Sequence, residues 1–339
     1  MKEVRDKARE LMKGYCRVCP VCDGRACAGE VPGMGGLGSG AAFKDNLAAL
    51  AAHKLRMRLV HGAVAPDTST QVLGLHLDIP VLAAPIGGVS FNMGGKVEEA
   101  DYIAAKLEAC VQEGIVGCTG DGVPDFIHQA GFAAIHKVGG QAIPFIKPWE
   151  DAEFDAKLAK AEATGATVFG MDIDAAGLVT LAKMGRPVSP KTPEKLAAIV
   201  EKVPGKFVLK GVMTVEDARL ALEAGVDAIV VSNHGGRVLE HAQGSARVLP
   251  EIAAFVGGRM AVLADGGVRS GADVLKMLAL GADAVLIGRP FSVAVMGGLK
   301  DGAAQYIRQL KSELTSAMVL TGCANVADAG PGILAPAGR

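Results

Sequence analysis

Short runs of β-branched and small apolar residues recur from Pro80 onward, each followed by a stretch with helical spacing, and this alternation restricts the chain to α/β folds with a parallel sheet. The runs are "PVLAAP", "GIVGCT", "AIPFI", "TVFGMDI", "FVLKG", "AIVVSN", "MAVLADGG" and "AVLIGRP", eight in all. Between them, "TVEDARLALEAG" carries an N-cap at Thr214, a capping-box partner at Asp217 and a stop at Gly225. "SGADVLKMLALGAD" repeats the design, with Ser270 as cap and Val274, Leu275, Leu278 and Leu280 as an apolar stripe. Eight βα units predict a (β/α)8 TIM barrel over residues 80–339. A doubly wound open sheet is the competitor, because periodicity does not prove closure; polar motifs at the strand C-termini, where barrels build their sites, favour the barrel.

Residues 1–79 form an amino-terminal extension. It holds a glycine-rich passage, "GEVPGMGGLGSGAA", that reads either as a flexible linker or as a loop laid over the barrel mouth. The helix "FKDNLAALAAHKLR" follows it. A chain of 339 residues with 50% hydrophobic residues and 45 glycines suits one large barrel domain with close backbone approaches. Lys+Arg 35 against Asp+Glu 36, with no basic run, leaves no electrostatic footprint for nucleic acid. The amino end lacks the apolar region of a signal peptide, and no apolar run approaches a membrane span, so a cytoplasmic protein is expected.

The chemistry gathers at the strand ends. "ADGGVRSGAD" and "LIGRPF" place glycine turns after strands seven and eight, where backbone N–H groups and a helix N-terminus commonly meet a phosphate. Gly266 and Gly267 permit close approach, and Arg269 and Arg289 add charge-assisted contacts. Lys210 ends strand five and faces a bound ligand, on which it could hold negative charge. "VVSNHGGRVLEHAQGS" sets His234 and Arg237 at the mouth of strand six, with Asp172 of "FGMDID" beside them at strand four. An imidazole backed by a carboxylate works as a general base, and a guanidinium offers a planar fork for a carboxylate; together they point to a small organic acid.

These motifs identify a resemblance. "LKGVMTVEDARLALEAGVDAIVVSNHGGRVLEHAQGSARVLPEI", "ADGGVRSGADVLKMLALGADAVLIGRPF" and "APDTSTQVLGLHLDIPVLAAPIGG" resemble the FMN-dependent 2-hydroxy-acid oxidases and dehydrogenases, the glycolate and lactate oxidase family. The resemblance implies that His234 takes the substrate hydroxyl proton as the α-hydrogen leaves for flavin N5, with Asp172 behind it. It implies that Arg237 holds the substrate carboxylate and that Lys210 lies near flavin N1 and O2. Asp265, Gly267, Arg269, Gly288 and Arg289 match the FMN ribityl and phosphate positions, and Ala84, Pro85 and Ile86 the backbone that lines the flavin. A homo-oligomer, tetramer or octamer, is implied as well.

Three departures bear on the substrate. Gly36 and Leu37 stand where the family has a tyrosine, Phe145 stands where it has a second one, and "DIDAAGLVTLAKMGRP" lacks its second substrate arginine. A bulkier or less polar 2-hydroxy acid is expected. Another FMN barrel enzyme, such as an isopentenyl-diphosphate isomerase, shares the phosphate turns, but "SNHGGR" argues against it. A non-catalytic flavin- or metal-binding descendant is the third reading.

The amino-terminal stretch "YCRVCPVCDGRACAGE" lies outside the family pattern. Its Cys16, Cys19, Cys22 and Cys27 are candidate ligands for an iron–sulfur cluster, which uses close triplets with a fourth cysteine, or for zinc, which more often takes two separated pairs. Unligated thiols or a switchable disulfide are the alternatives. A cluster near the flavin would give electrons an exit other than oxygen, toward an acceptor protein. Cys110, Cys118 and Cys323 read as small core residues.

Overall fold

The computed structural model describes residues 1–178, 181, 184–186 and 188–336. A short antiparallel hairpin, β1 (Thr70–Val72) and β2 (Leu75–Leu77), precedes eight parallel strands. These are β3 (Val81–Ile86), β4 (Val116–Thr119), β5 (Ala142–Ile146), β6 (Val168–Asp172), β7 (Lys206–Val212), β8 (Ala228–Val231), β9 (Ala261–Ala264) and β10 (Ala284–Ile287). Each of the eight expected runs is one of these strands. β10 pairs in parallel with β3, which closes the barrel and excludes the open sheet.

Alternation along the strands sorts the core into two layers. Val208 of β7 and Ala228 and Val230 of β8 pack inside the barrel, while Phe207, Leu209, Ile229 and Val231 pack outward under the helices. The inner layer also takes Val72 and Leu77, so the hairpin that sequence reading missed closes the barrel floor. Carried to the strand ends, the same period aims Lys147, Asp172, Lys210 and Ser232 into the mouth: Lys147 follows Ile143 and Phe145, Asp172 follows Val168, Lys210 follows Val208, and Ser232 follows Val230.

The caps form as expected. Thr214 accepts from the Asp217 N–H, and Ser270 and Asp273 make a reciprocal capping box. The amino-terminal extension wraps the barrel. Helix α1 (Lys2–Leu11) packs on the long carboxy-terminal helix (Arg289–Thr321), which departs from helical geometry at Leu299. Helix α2 (Ala41–Ala52) is pinned by Asn46, whose amide donates to Asn233 at 2.8 Å and accepts from the Ser245 N–H at 3.1 Å. The glycine passage is the loop across the mouth, not a free linker: the Leu37 N–H donates to the Gly236 carbonyl at 2.9 Å.

Gly236 sits at φ +78°, and a Cβ there would lie 2.3 Å from the Phe43 backbone nitrogen. Gly236→Ala therefore strains the turn and pushes α2 away. Urea unfolding is expected to show a loss of about 2 kcal/mol or more, and an unchanged midpoint at an unchanged slope would contradict this packing.

Candidate active site at the barrel mouth

A cavity of about 290 Å³ opens at the C-terminal ends of the strands. Ala84, Pro85, Ile86, Asp172, Lys210, His234, Arg237, Asp265, Gly267, Arg269, Gly288 and Arg289 all line it, so the residues singled out from sequence at the strand ends converge on one space. The four amino-terminal cysteines do not line it, but Cys22 Sγ comes within 3.8 Å of Arg269 Nη2.

His234 follows β8 in a turn of consecutive left-handed residues, φ +57° at His234, +63° at Gly235 and +78° at Gly236. A left-handed histidine is strained, and two things hold it: its N–H donates to Ser232 Oγ at 3.1 Å, and its Nδ1 meets Asp174 Oδ1 at 2.9 Å. The carboxylate behind the imidazole is thus Asp174, which corrects the expectation for Asp172. Asp172 lines the cavity, and an oxygen of each carboxylate and a nitrogen of His234 lie within 4.8 Å of one another. Asp172 Oδ2 accepts from Lys147 Nζ at 2.9 Å, whereas a 3-10 turn at Ile173–Gly177 carries Asp174 round to the imidazole.

Burial opposes ionisation of Asp174, but Lys210 and His234 outweigh it and hold its carboxyl down at about 2. Lys210 Nζ stands 3.6 Å from Asp174 Oδ2 and 3.8 Å from Asp265 Oδ2. Burial disfavours the ammonium, yet Asp174, Asp265 and Asp172 overcome this and raise its pKa, so it stays charged.

Arg237, Arg269 and Arg289 are partly buried and, among the described residues, make no ion pair with a carboxylate. The glycine loop presents two of them through its carbonyls. Arg237 Nη1 donates to Gly33 and Gly35 at 2.7 and 3.0 Å, and Arg289 Nε donates to Met34 at 2.8 Å. Arg289 also lies 3.9 Å over the Phe43 ring. Burial pushes the Arg289 guanidinium down, and Arg237 and Arg269 push it further; the cluster is short of negative charge. A phosphate and a carboxylate would supply it. The donor set fits a phosphorylated polyol in other respects: Arg269 Nε lacks a partner, as does the buried Asp265 Oδ1, which can accept from a hydroxyl. Gly267, at φ +88°, brings backbone where a Cβ would lie 2.8 Å from the Asn46 carbonyl oxygen.

The departures also find their places. A Cβ at Gly36 would lie 2.9 Å from Phe43 Cβ, so a tyrosine does not fit there. Phe145 points into the barrel core against Gly170, and the mouth position on β5's inner face belongs to Lys147. The segment expected to lack an arginine includes Val179, Thr180, Ala182, Lys183 and Pro187, which lie outside the described residues.

Sequence reading missed Lys147, Asp174 and Asp121. Asp121 takes the Lys147 N–H at 3.1 Å, Trp149 Nε1 at 2.5 Å and Lys157 Nζ at 2.7 Å, which fixes the end of β5 under Lys147. Lys147 continues a two-residue inward period by one step, a signal present in the sequence, whereas Asp174 lies beyond β6 in the 3-10 turn. The Asp121 partners come together only in the fold.

A sequence model of the FMN-dependent dehydrogenase family matches residues 33–186 and 180–336. The chain is 32% identical to an L-lactate oxidase of Lactobacillus jensenii over 321 residues, 84% of this chain and 76% of that protein. It is also 32% identical to a peroxisomal (S)-2-hydroxyacid oxidase of Arabidopsis thaliana over 314 residues, 84% of this chain and 86% of the relative. Over a shorter stretch of 131 residues, 39% of this chain and 34% of the relative, it is 51% identical to an L-lactate dehydrogenase of Caulobacter vibrioides. Among solved structures, a mandelate oxidase variant with 2-hydroxy-phenylacetamide superimposes with a TM-score of 0.78 at 28% identity, covering 97% of this chain and 96% of that one. Another, carrying an FMN adduct, gives 0.78 at 29% identity, with 96% and 97% covered.

Proposed function

The chain belongs to the FMN-dependent dehydrogenase family as an enzyme that oxidises a 2-hydroxy acid to the 2-oxo acid, and from that premise we propose that His234 and Asp174 form its proton-accepting dyad and that its substrate carries a bulky apolar side chain. The observation that carries the reading is the 2.9 Å contact between the two, opening on the same cavity as the unpaired guanidiniums. Bound FMN supplies the two-electron acceptor. Arg269 and Arg289, with the Gly267 and Gly288 backbone, hold its phosphate; Asp265 holds the ribityl chain, and Ala84, Pro85 and Ile86 line the ring.

Asp174 accepts the Nδ1 hydrogen of His234, which leaves Nε2 as the basic nitrogen. Nε2 takes the hydroxyl proton as the α-hydrogen departs, and the ionised Asp174 stabilises the imidazolium. Arg237, held by the glycine loop, fixes the substrate carboxylate. Lys210, buried and charged, would hold negative charge on the bound cofactor. The isomerase reading gives way to the match with the FMN-dependent dehydrogenase family and with its 2-hydroxy-acid-oxidising relatives. We also propose a cytoplasmic homo-oligomer that passes its electrons to an acceptor protein; among the described residues no helix is long and apolar enough to cross a membrane.

Phe91, Val123, Ile127, Leu178 and Met184 line the cavity and favour an apolar substituent. With a dye as electron acceptor, kcat/KM for a phenyl- or isobutyl-bearing 2-hydroxy acid is expected to exceed that for glycolate by about tenfold or more. A preference for glycolate would overturn the substrate reading. Arg289→Ala is expected to weaken FMN binding about 10- to 100-fold, measured by flavin fluorescence in equilibrium dialysis, as loss of a charge-assisted contact implies. Undiminished affinity would place the phosphate elsewhere.

A further inference from the structure

We infer that Cys16, Cys19, Cys22 and Cys27 ligate an iron–sulfur cluster beside the phosphate end of the cofactor cradle. The four thiols occupy a C-x-x-C-x-x-C-x-x-x-x-C loop between α1 and the glycine loop, and all are free and partly exposed.

The loop is built and anchored. Arg5 donates to the Cys19 carbonyl at 2.6 Å, Arg9 donates to the Val18 carbonyl at 3.1 Å, and Arg17 grips Glu30 with two bonds of 2.6 Å. Val18 is buried and left-handed at φ +46°, unusual for a β-branched residue. Its strained turn aims the Val18 N–H at Cys16 Sγ, 3.4 Å away. Hydrogen bonds to sulfur of this kind stabilise metal-bound thiolates and tune clusters.

Charge and spacing decide what the loop binds. Arg269 Nη2 lies 3.8 Å from Cys22 Sγ, so positive charge faces the thiols from the cofactor side. A single tetrahedral zinc, with Zn–S bonds of about 2.3 Å, requires sulfurs roughly 3.8 Å apart. Among the described residues no three of these sulfurs lie within 4.8 Å of one another. The close triplet with a fourth cysteine is the pattern that iron–sulfur clusters use, whereas structural zinc more often takes two separated pairs.

The test is the metal content of the full chain purified without oxygen, with its flavin. Iron and acid-labile sulfide are expected in equal amounts, about four of each for a cubane cluster, with a paramagnetic resonance signal on dithionite reduction. Cys16→Ser and Cys19→Ser are expected to lose both by fivefold or more while keeping flavin and the wild-type circular dichroism. Should either variant misfold, the wild-type resonance and iron–sulfide stoichiometry still decide. Iron below a tenth per chain after incubation with ferrous iron and sulfide, one zinc per chain, or a disulfide in the anaerobic protein would each overturn the inference. None of these readouts depends on turnover of any acid.

Discussion

His234→Gln is expected to lower kcat/KM for the best 2-hydroxy acid by about a thousandfold while leaving bound flavin in place. Removing a positioned general base typically costs 10²- to 10⁴-fold, and the amide of glutamine accepts no proton near neutral pH. His234 makes its polar contacts to Asp174 and Ser232, neither of which belongs to the guanidinium cluster, so cofactor retention and the loss of chemistry separate. Flavin content is read from the visible spectrum and turnover with a dye acceptor. A variant that keeps more than a tenth of wild-type turnover would show that another group takes the proton.

The second large effect distinguishes the two carboxylates. Asp174→Asn is expected to cost about 10²- to 10⁴-fold in kcat with little change in flavin content, because asparagine neither fixes the Nδ1–H tautomer nor stabilises the imidazolium. Asp172→Asn leaves that hydrogen bond alone and strands Lys147, its partner at 2.9 Å, as a buried charge. Breaking one side of a buried pair costs about 3–5 kcal/mol, so this variant is expected to show its loss in urea unfolding first. With its carboxyl held at about 2, Asp174 is ionised at every pH where turnover is measured and adds no limb to the pH profile. If Asp172→Asn lost kcat and Asp174→Asn did not, the dyad would be the one the sequence first suggested.

That confusion has a physical origin. The inward period of residues 168, 170 and 172 sets Asp172 at the mouth and says nothing of Asp174, so the sequence alone does not rank the two carboxylates. The ranking comes from two events outside the period: the 3-10 turn after β6, and the capture of Asp172 by a lysine on the neighbouring strand. Phe145 shows the same limit by one step, since the inner face of β5 runs on to Lys147. The barrel strands, the caps at Thr214 and Ser270, and the cluster of His234, Arg237, Arg269 and Arg289 were legible because each is a local pattern at a strand or helix end. The floor hairpin was not, because two three-residue strands around Leu73 and Gly74 are too short to show a period. Nor was the role of Asn46, which ties α2 to the turn after β8 and to the start of the helix that follows it by contacts 187 and 199 residues apart.

The most direct measurement is an anaerobic titration of the purified flavoprotein with its best 2-hydroxy acid, following the visible flavin band and the product together. The dyad, the carboxylate clamp and the cofactor cradle together predict complete bleaching, with one 2-oxo acid formed per flavin. Flavin that stays oxidised with every 2-hydroxy acid offered would contradict the account.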